Sequence, residues 1–140
     1  MKKKYFYIAL LYALFAMIGG VFYREFTKWN GFKEPTALGK VHTHLFVLGM
    51  LLFIIIGILS ERVELEKFKD FRIFIKIYNI GLPILAISMA IRGVLQVEKV
   101  LLSNVADFIL SSIAGLGHIM VGAGIIFFML TLIKLSLIHI

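Results

Sequence analysis

Residues 5–23 read YFYIALLYALFAMIGGVFY and contain no charged side chain. About 20 consecutive apolar residues are enough for an α-helix to cross the hydrocarbon core of a bilayer. Three lysines precede this stretch, and no small-residue cleavage motif of the A-x-A type follows it. We therefore expect a retained membrane helix here and not a cleaved signal peptide.

Three further apolar stretches predict helices at about 37–59, 74–92 and 105–134, joined by loops at 24–40, 60–72 and 92–107. Thr36 has the side chain of an N-cap for the second helix. The chain is 61% hydrophobic with a mean hydropathy of +0.98, whereas soluble domains are about 45–50% apolar. The sequence thus predicts an all-α fold, one integral membrane four-helix bundle over residues 1–140.

The distribution of basic residues predicts the orientation of this bundle. With the N-terminus inside, the inner side receives Lys2, Lys3, Lys4, Arg62, Lys67, Lys69, Arg72, Lys76 and Lys134. The outer side receives fewer: Arg24, Lys28, Lys33, Lys40, Arg92 and Lys99. Cytoplasmic loops carry the excess of Lys and Arg, so we expect an N-in/C-in, multi-pass protein of a bacterial cell membrane. The net charge of +7 then belongs beside lipid headgroups, and no motif indicates nucleic acid.

Small residues recur at helical spacing in two of the predicted helices. The first contains Ala9, Ala13, Ala16 and Gly20, and the third contains Ala86, Ala90 and Gly93. Such stripes allow helices to approach closely in lipid. They predict a compact bundle or a homodimer and carry no chemistry by themselves.

Three histidines fall inside predicted membrane helices: His42 and His44 in the second and His118 in the fourth. An ionisable side chain within a membrane helix is costly, so its presence indicates a functional site. All three fall in the outer half of the membrane, with His118 several ångströms deeper unless the fourth helix projects. The fourth histidine, His139, is next to the last residue and is predicted to be a solvated tail residue.

Helical geometry separates the two neighbouring histidines. His42 and His44 point about 200° apart, so one is expected to face the bundle and the other a partner subunit or a second cofactor. On the fourth helix, Gly115, His118 and Gly122 share a face with Ser111. Glycines above and below a histidine leave room for a flat group such as haem, for which imidazole is an axial ligand.

Two arginines are candidates for the propionates of such a haem. Arg24 and Arg92 lie at outer helix ends, where a guanidinium group can bind a carboxylate through two hydrogen bonds. Snorkelling to lipid headgroups is the alternative role for both side chains.

Several motifs together resemble a family of small bacterial four-span membrane proteins that is known as a domain of unknown function. They are GVFYREFTK at 20–28, VHTHL at 41–45 with Gly49, and GLGH at 115–118. The resemblance covers nearly the whole chain and implies the four-helix architecture, without an activity.

The His42-x-His44 pair with Leu45 and Gly49 also resembles, more distantly, the paired-histidine helix of the haem–copper oxidase catalytic subunit. That resemblance implies that His42 and His44 are axial ligands and that His118 completes one coordination sphere. This chain has fewer spans and lacks the copper-ligand set, so oxygen reduction by the chain alone is not implied.

The leading interpretation is a haem b-binding protein in which His118 pairs with His44 or His42, for electron transfer with an unknown redox partner or for haem sensing. Bis-histidine ligation fills both axial positions and disfavours oxygen activation. One alternative is a small transporter, or a metal-binding protein that uses the three histidines. Another is a structural subunit of a larger complex, with histidines that form interhelical hydrogen bonds.

Overall fold

A computed structural model describes residues 3–138 and contains four long helices: α1 (Lys3–Trp29), α2 (Leu38–Arg62), α3 (Lys69–Val97) and α4 (Asn104–Ile138). A 3₁₀ turn at Leu65–Lys67 lies between α2 and α3. No strand occurs within the described residues, so the prediction of an all-α fold is confirmed. His139 lies outside them.

All four helices are long and apolar enough to cross a membrane. Large apolar side chains cover much of their outer surface, for example Ile18 on α1, Val47 on α2, Ile87 on α3 and Ile126 on α4. Exposed aliphatic surface of this extent is stable beside lipid and costly in water. The helices therefore have the length and surface of a multi-pass membrane protein.

The helices alternate in direction and pack in chain order. Tyr5 of α1 contacts Phe71 of α3 at the end where both helices begin, which we call the base. At the opposite end, the top, the start of α2 packs against Gly93 near the end of α3. Helix α2 packs along α1, and α4 packs along α3.

Glycines allow α3 and α4 to approach closely. A Cβ on Gly81 would lie 2.6 Å from Met120 Cβ, and a Cβ on Gly117 would lie 2.9 Å from the backbone nitrogen of Leu85. Neither position has room for a side chain. Close backbone approach of this kind is how helices associate in lipid, where the hydrophobic effect contributes little.

The start of α2 is fixed to α3 by polar groups. The Thr36 hydroxyl lies 3.1 Å from the Gly93 carbonyl and 3.0 Å from Gln96 Oε1, and it accepts a hydrogen bond from Leu38 N at 3.3 Å. Gln96 Oε1 also accepts from Ala37 N at 2.8 Å. These bonds satisfy amides that the first turn leaves unpaired. The N-cap position itself belongs to Ala37, whose side chain makes no capping bond, so Thr36 binds the first turn from one residue before the predicted position.

The helices extend further than predicted, and the loops are shorter. Helix α1 continues to Trp29, so the predicted loop at 24–40 is wrong for its first six residues. Phe22 and Phe26 stack on this extension with ring centroids 5.0 Å apart, and the Thr27 hydroxyl donates to the Tyr23 carbonyl at 2.8 Å. Hydropathy identifies the part of a helix inside the hydrocarbon core, whereas the helix itself ends where its hydrogen bonds end.

A π-helical segment, Leu45–Leu51, interrupts α2 directly after His44. The Tyr78 hydroxyl of α3 donates to the Leu48 carbonyl within this segment at 2.8 Å. Tyr12 of α1 lies over Gly49, where an added Cβ would come within 2.5 Å of the ring. Wide turns of this type leave backbone groups in need of partners and occur often at functional sites.

Candidate cofactor site

His42 packs against α1. A Cβ on Gly20 would lie 3.6 Å from His42 Cγ, and the imidazole stacks on the Tyr23 ring with centroids 6.4 Å apart and planes 18° apart. Within the described residues, Nδ1 of His42 is buried and has no hydrogen-bond partner. Glycines on α1 thus provide the space that His42 fills.

His44 and His118 share a different arrangement. Nδ1 of His44 lies 2.8 Å from the Lys40 carbonyl oxygen, and Nδ1 of His118 lies 2.9 Å from the Ala114 carbonyl oxygen. A carbonyl oxygen only accepts, so Nδ1 is the donor in each contact, and Nε2 makes no hydrogen bond within residues 3–138. Metal-ligating histidines commonly donate their second ring N–H to a carbonyl in this way.

The rotation of α3 and α4 shows where His118 points. Viewed from the base, α3 runs away from the viewer, and each residue is rotated clockwise by about 100° from the one before it. Gly93 is eight residues after Leu85 and therefore lies about 80° clockwise of it. Gly93 contacts Leu38 of α2. Leu85 contacts Gly117 of α4, so α2 lies clockwise of α4 around α3. Helix α4 runs toward the viewer and turns the other way. His118, about 100° past Gly117, is therefore directed to the side of α3 on which α2 lies.

The same reasoning applies to α2, which also runs toward the viewer. Leu38 faces α3, and His42 lies about 40° counter-clockwise of it, toward α1. His44 lies about 120° clockwise of Leu38, on the flank of α2 that is turned away from α1. His44 and His118 therefore line the same open corner, bounded by α2, α3 and α4, which we call the α2–α4 corner.

The two histidines of this corner are close in depth. Counted from the contact between Gly93 and Leu38, His44 lies about 9 Å below it at 1.5 Å per residue. The contact between Leu85 and Gly117 lies about 12 Å below the same level, which places His118 at about 13 to 14 Å. The separation along the bundle axis is thus about 4 to 5 Å. The axial separation from His118 is larger for His42, because His42 lies only about 6 Å below the contact between Gly93 and Leu38.

The face of α4 around His118 is bare. An added Cβ on Gly115 or Gly122 would meet nothing within 4 Å, and His118 itself is exposed. Gly117, in contrast, is buried against α3. The structure therefore separates the glycines of α4 into those that pack against α3 and those that leave open space beside a histidine.

The two predicted arginines differ in position. Arg92 donates to Asp107 Oδ1 at 2.9 Å and to Ser111 Oγ at 2.7 Å, and its side chain is 30% exposed. It thus lies at the top of the face that carries His118. Arg24 is on α1, is 81% exposed and lies 3.7 Å from Glu25, so it is not brought to the α2–α4 corner.

No three His, Cys, Asp or Glu side chains lie close enough to hold a metal ion within residues 3–138. The structure thus does not join His42, His44 and His118 in one centre. Of the three histidines, His44 and His118 are the two that line the same open corner, on helices α2 and α4.

Sequence reasoning missed Asp107 and the backbone carbonyls that orient the two histidines. The carbonyl contacts could have been predicted from helix geometry. In a helix, the carbonyl four residues before a histidine lies near its side chain. The partnership of Arg92 with Asp107 joins two helices across a loop, and the spacing of residues gave no indication of it.

A family model described as a protein of unknown function (DUF2871) matches residues 1–135. The chain therefore belongs to this family. No curated protein and no solved structure matches the chain.

Proposed function

We propose that this member of a family of unknown function is a haem b-binding membrane protein that serves in electron transfer or haem sensing. The observation that carries the proposal is the matched orientation of His44 and His118. Each donates Nδ1–H to its own helix and has no hydrogen bond to Nε2 within the described part of the chain, on two helices that bound one open corner.

The residues present fit the group. His44 and His118 would hold the haem iron, and the space beside Gly115 and Gly122 would accept the macrocycle against the backbone of α4. Arg92 would supply a cation at the top of this face for a propionate. Haem b bound by two histidines would supply a one-electron redox centre with no open coordination position.

His42 has another role in this proposal. Its ring fills a space between α1 and α2 and stacks on Tyr23, so it stabilises the contact between these two helices. The sequence left open which histidine of the pair is the ligand, and the packing of α1 favours His44.

The test is a visible absorption spectrum of the detergent-purified protein, expressed with haem available, before and after reduction with dithionite. We expect a Soret band, and sharp α and β bands in the reduced state, as for low-spin haem b. Protein that is colourless and remains so after haem addition contradicts the proposal. In that case the histidines serve transport, metal binding or packing.

A further inference from the structure

The base of the bundle has a cleft between the start of α1 and the start of α3. Its volume is about 180 Å³, and apolar groups of Tyr5, Phe71 and Ile75 form part of its lining. Three cationic side chains, Lys4, Arg72 and Lys76, line it as well, against a single carboxylate, Glu66. The cleft thus combines an apolar wall with a net positive charge.

The negative charge of Glu66 is already balanced by side chains of the protein. Lys4 forms an ion pair with Glu66, and the Tyr5 hydroxyl donates to the same carboxylate oxygen at 2.8 Å. The hydrogen bond from Lys4, followed by that from Tyr5, lowers the pKa of Glu66 below its usual value. Glu66 therefore stays ionised, and its negative charge balances the positive charge of Lys4.

The charges of Arg72 and Lys76 are not neutralised in this way. Arg72 Nη1 donates to the carbonyl oxygens of Glu66 and Lys67 at 2.9 and 3.2 Å, which are neutral acceptors. Lys76 lies one turn further along α3, on the same face, and has no hydrogen bond or ion pair with the residues that the structure describes. Two cations thus face the cleft, and neither is paired with a carboxylate of the residues that the structure describes.

We infer that this cleft binds the headgroup of an anionic phospholipid. The position at the end of two membrane-spanning helices places Arg72 and Lys76 near headgroup depth, where each cation contributes to the attraction of anionic lipid. The apolar wall extends from there toward the hydrocarbon core, in the direction of an acyl chain. A larger cavity of about 780 Å³ shares Tyr5, Glu66 and Arg72 with the cleft, and its lining also includes Glu64 and Lys67. The headgroup is therefore assigned to the smaller cleft, where the cations outnumber the carboxylate. This site is independent of haem binding.

Native mass spectrometry of the full-length protein in detergent tests the inference, with phosphatidylglycerol and phosphatidylcholine added in equal amounts. We expect preferential retention of phosphatidylglycerol. Lys76→Gln should weaken this retention about fivefold, because one cation near anionic lipid contributes about 1 kcal/mol of binding free energy. Lys76 has no hydrogen bond or ion pair with residues 3–138, so this variant is expected to fold normally. Lys76→Arg should restore retention.

Lys28→Gln, which removes one charge from the opposite end of α1, is the matched control and should leave retention unchanged. An equal loss in both variants, or equal retention of the two lipids, overturns the inference. Glycerol 1-phosphate, which lacks acyl chains, should not displace the bound lipid at millimolar concentration. Displacement would identify a site for free anions and would overturn the assignment to lipid.

Discussion

The three membrane histidines differ at the level of single ring nitrogens. His44 and His118 each direct Nδ1 to a carbonyl oxygen of their own helix, at 2.8 and 2.9 Å. His42 buries Nδ1 between helices, where no atom of residues 3–138 forms a hydrogen bond with it. The first arrangement prepares Nε2 as a ligand, because the position of the proton is already fixed. The second has the cost of an unpaired buried polar atom, and the ring contributes packing against Tyr23.

Alanine substitutions should separate these roles. His44→Ala and His118→Ala each remove a proposed haem ligand. Loss of a group that only orients a ligand already lowers metal affinity by about tenfold or more. We therefore expect haem affinity to fall by more than about tenfold in each variant. His42→Ala should retain the haem and its reduced α band. Haem content per protein and the reduced spectrum are the measurements. Loss of haem only in His42→Ala would show that the ligand on α2 is assigned to the wrong residue.

Two glycines of α4 provide a second pair of variants. Gly115 faces open space, so Gly115→Leu should preserve the fold but occupy the room beside His118 and reduce haem content. Gly117 touches the backbone of Leu85, with 2.9 Å to an added Cβ. Gly117→Leu should therefore lower stability, by about 1–3 kcal/mol for an overpacked site. Thermal unfolding in detergent distinguishes the two effects, and normal haem content in a folded Gly115→Leu variant would contradict the proposed position of the macrocycle.

The sequence predicted the candidate residues better than their partners. Residue type and spacing were enough to single out His42, His44, His118 and the glycines of α4, since polarity is rare in membrane helices. The choice between His42 and His44 depends on which flank of α2 is covered by α1. That depends on contacts such as His42 with Gly20, which no local pattern contains.

At the scale of the helix, the wide turns at Leu45–Leu51 receive one hydrogen bond from a neighbouring helix, from the Tyr78 hydroxyl. Tyr78→Phe removes the donor to the Leu48 carbonyl and should destabilise the protein by about 1 kcal/mol, the size of an interhelical hydrogen bond in a membrane protein. Tyr12→Phe is the matched control because the Tyr12 hydroxyl has no hydrogen-bond partner within residues 3–138. Unfolding in a denaturing detergent measures both variants. Equal stability of the two would show that the Tyr78 bond does not support the π segment.

The number of helices was predictable, but their ends and the π segment were not. Apolar runs of about 20 residues mark membrane spans clearly. The last turns of α1 contain Arg24, Glu25 and Lys28, which hydropathy assigns to a loop although their backbone stays helical. The π segment reads LFVLGML, which has no feature that distinguishes it from α-helix. Its contacts with Tyr12 and Tyr78 come from other helices.

At the scale of the whole molecule, the chain has a base richer in positive charge than its top, and this asymmetry predicts N-in/C-in orientation. The absence of cysteine from the sequence permits a direct test with single cysteines. Leu101, 96% exposed in the top loop, and Lys67, exposed at the base, are suitable positions. We expect a membrane-impermeant maleimide to label Leu101→Cys in intact cells and Lys67→Cys only after permeabilisation. The reverse pattern would place the histidines near the inner side.

The membrane location of the molecule followed from composition, whereas the packing order of its helices did not. In water, the apolar stripe of a helix identifies the face that packs. These helices are apolar on all sides, because lipid and protein neighbours are both apolar. Only small residues distinguish the faces. The small residues of α1 indicated correctly that Ala9 and Ala16 are buried. The small residues did not indicate that α4 packs along α3 and leaves the face of α4 around His118 bare.

The π segment also has a consequence for the lengths that this chain tolerates. A turn of π-helix contains about one residue more than a turn of α-helix, so α2 has a surplus residue between His44 and Leu52. Deletion of one residue elsewhere in α2 rotates everything beyond it by about 100° and turns packed side chains toward lipid. Deletion of one residue from Leu45–Leu51 instead closes the wide turn and leaves both halves of α2 on their present faces. Insertions and deletions among homologues should therefore concentrate in this segment, and a shorter relative should have a regular helix there.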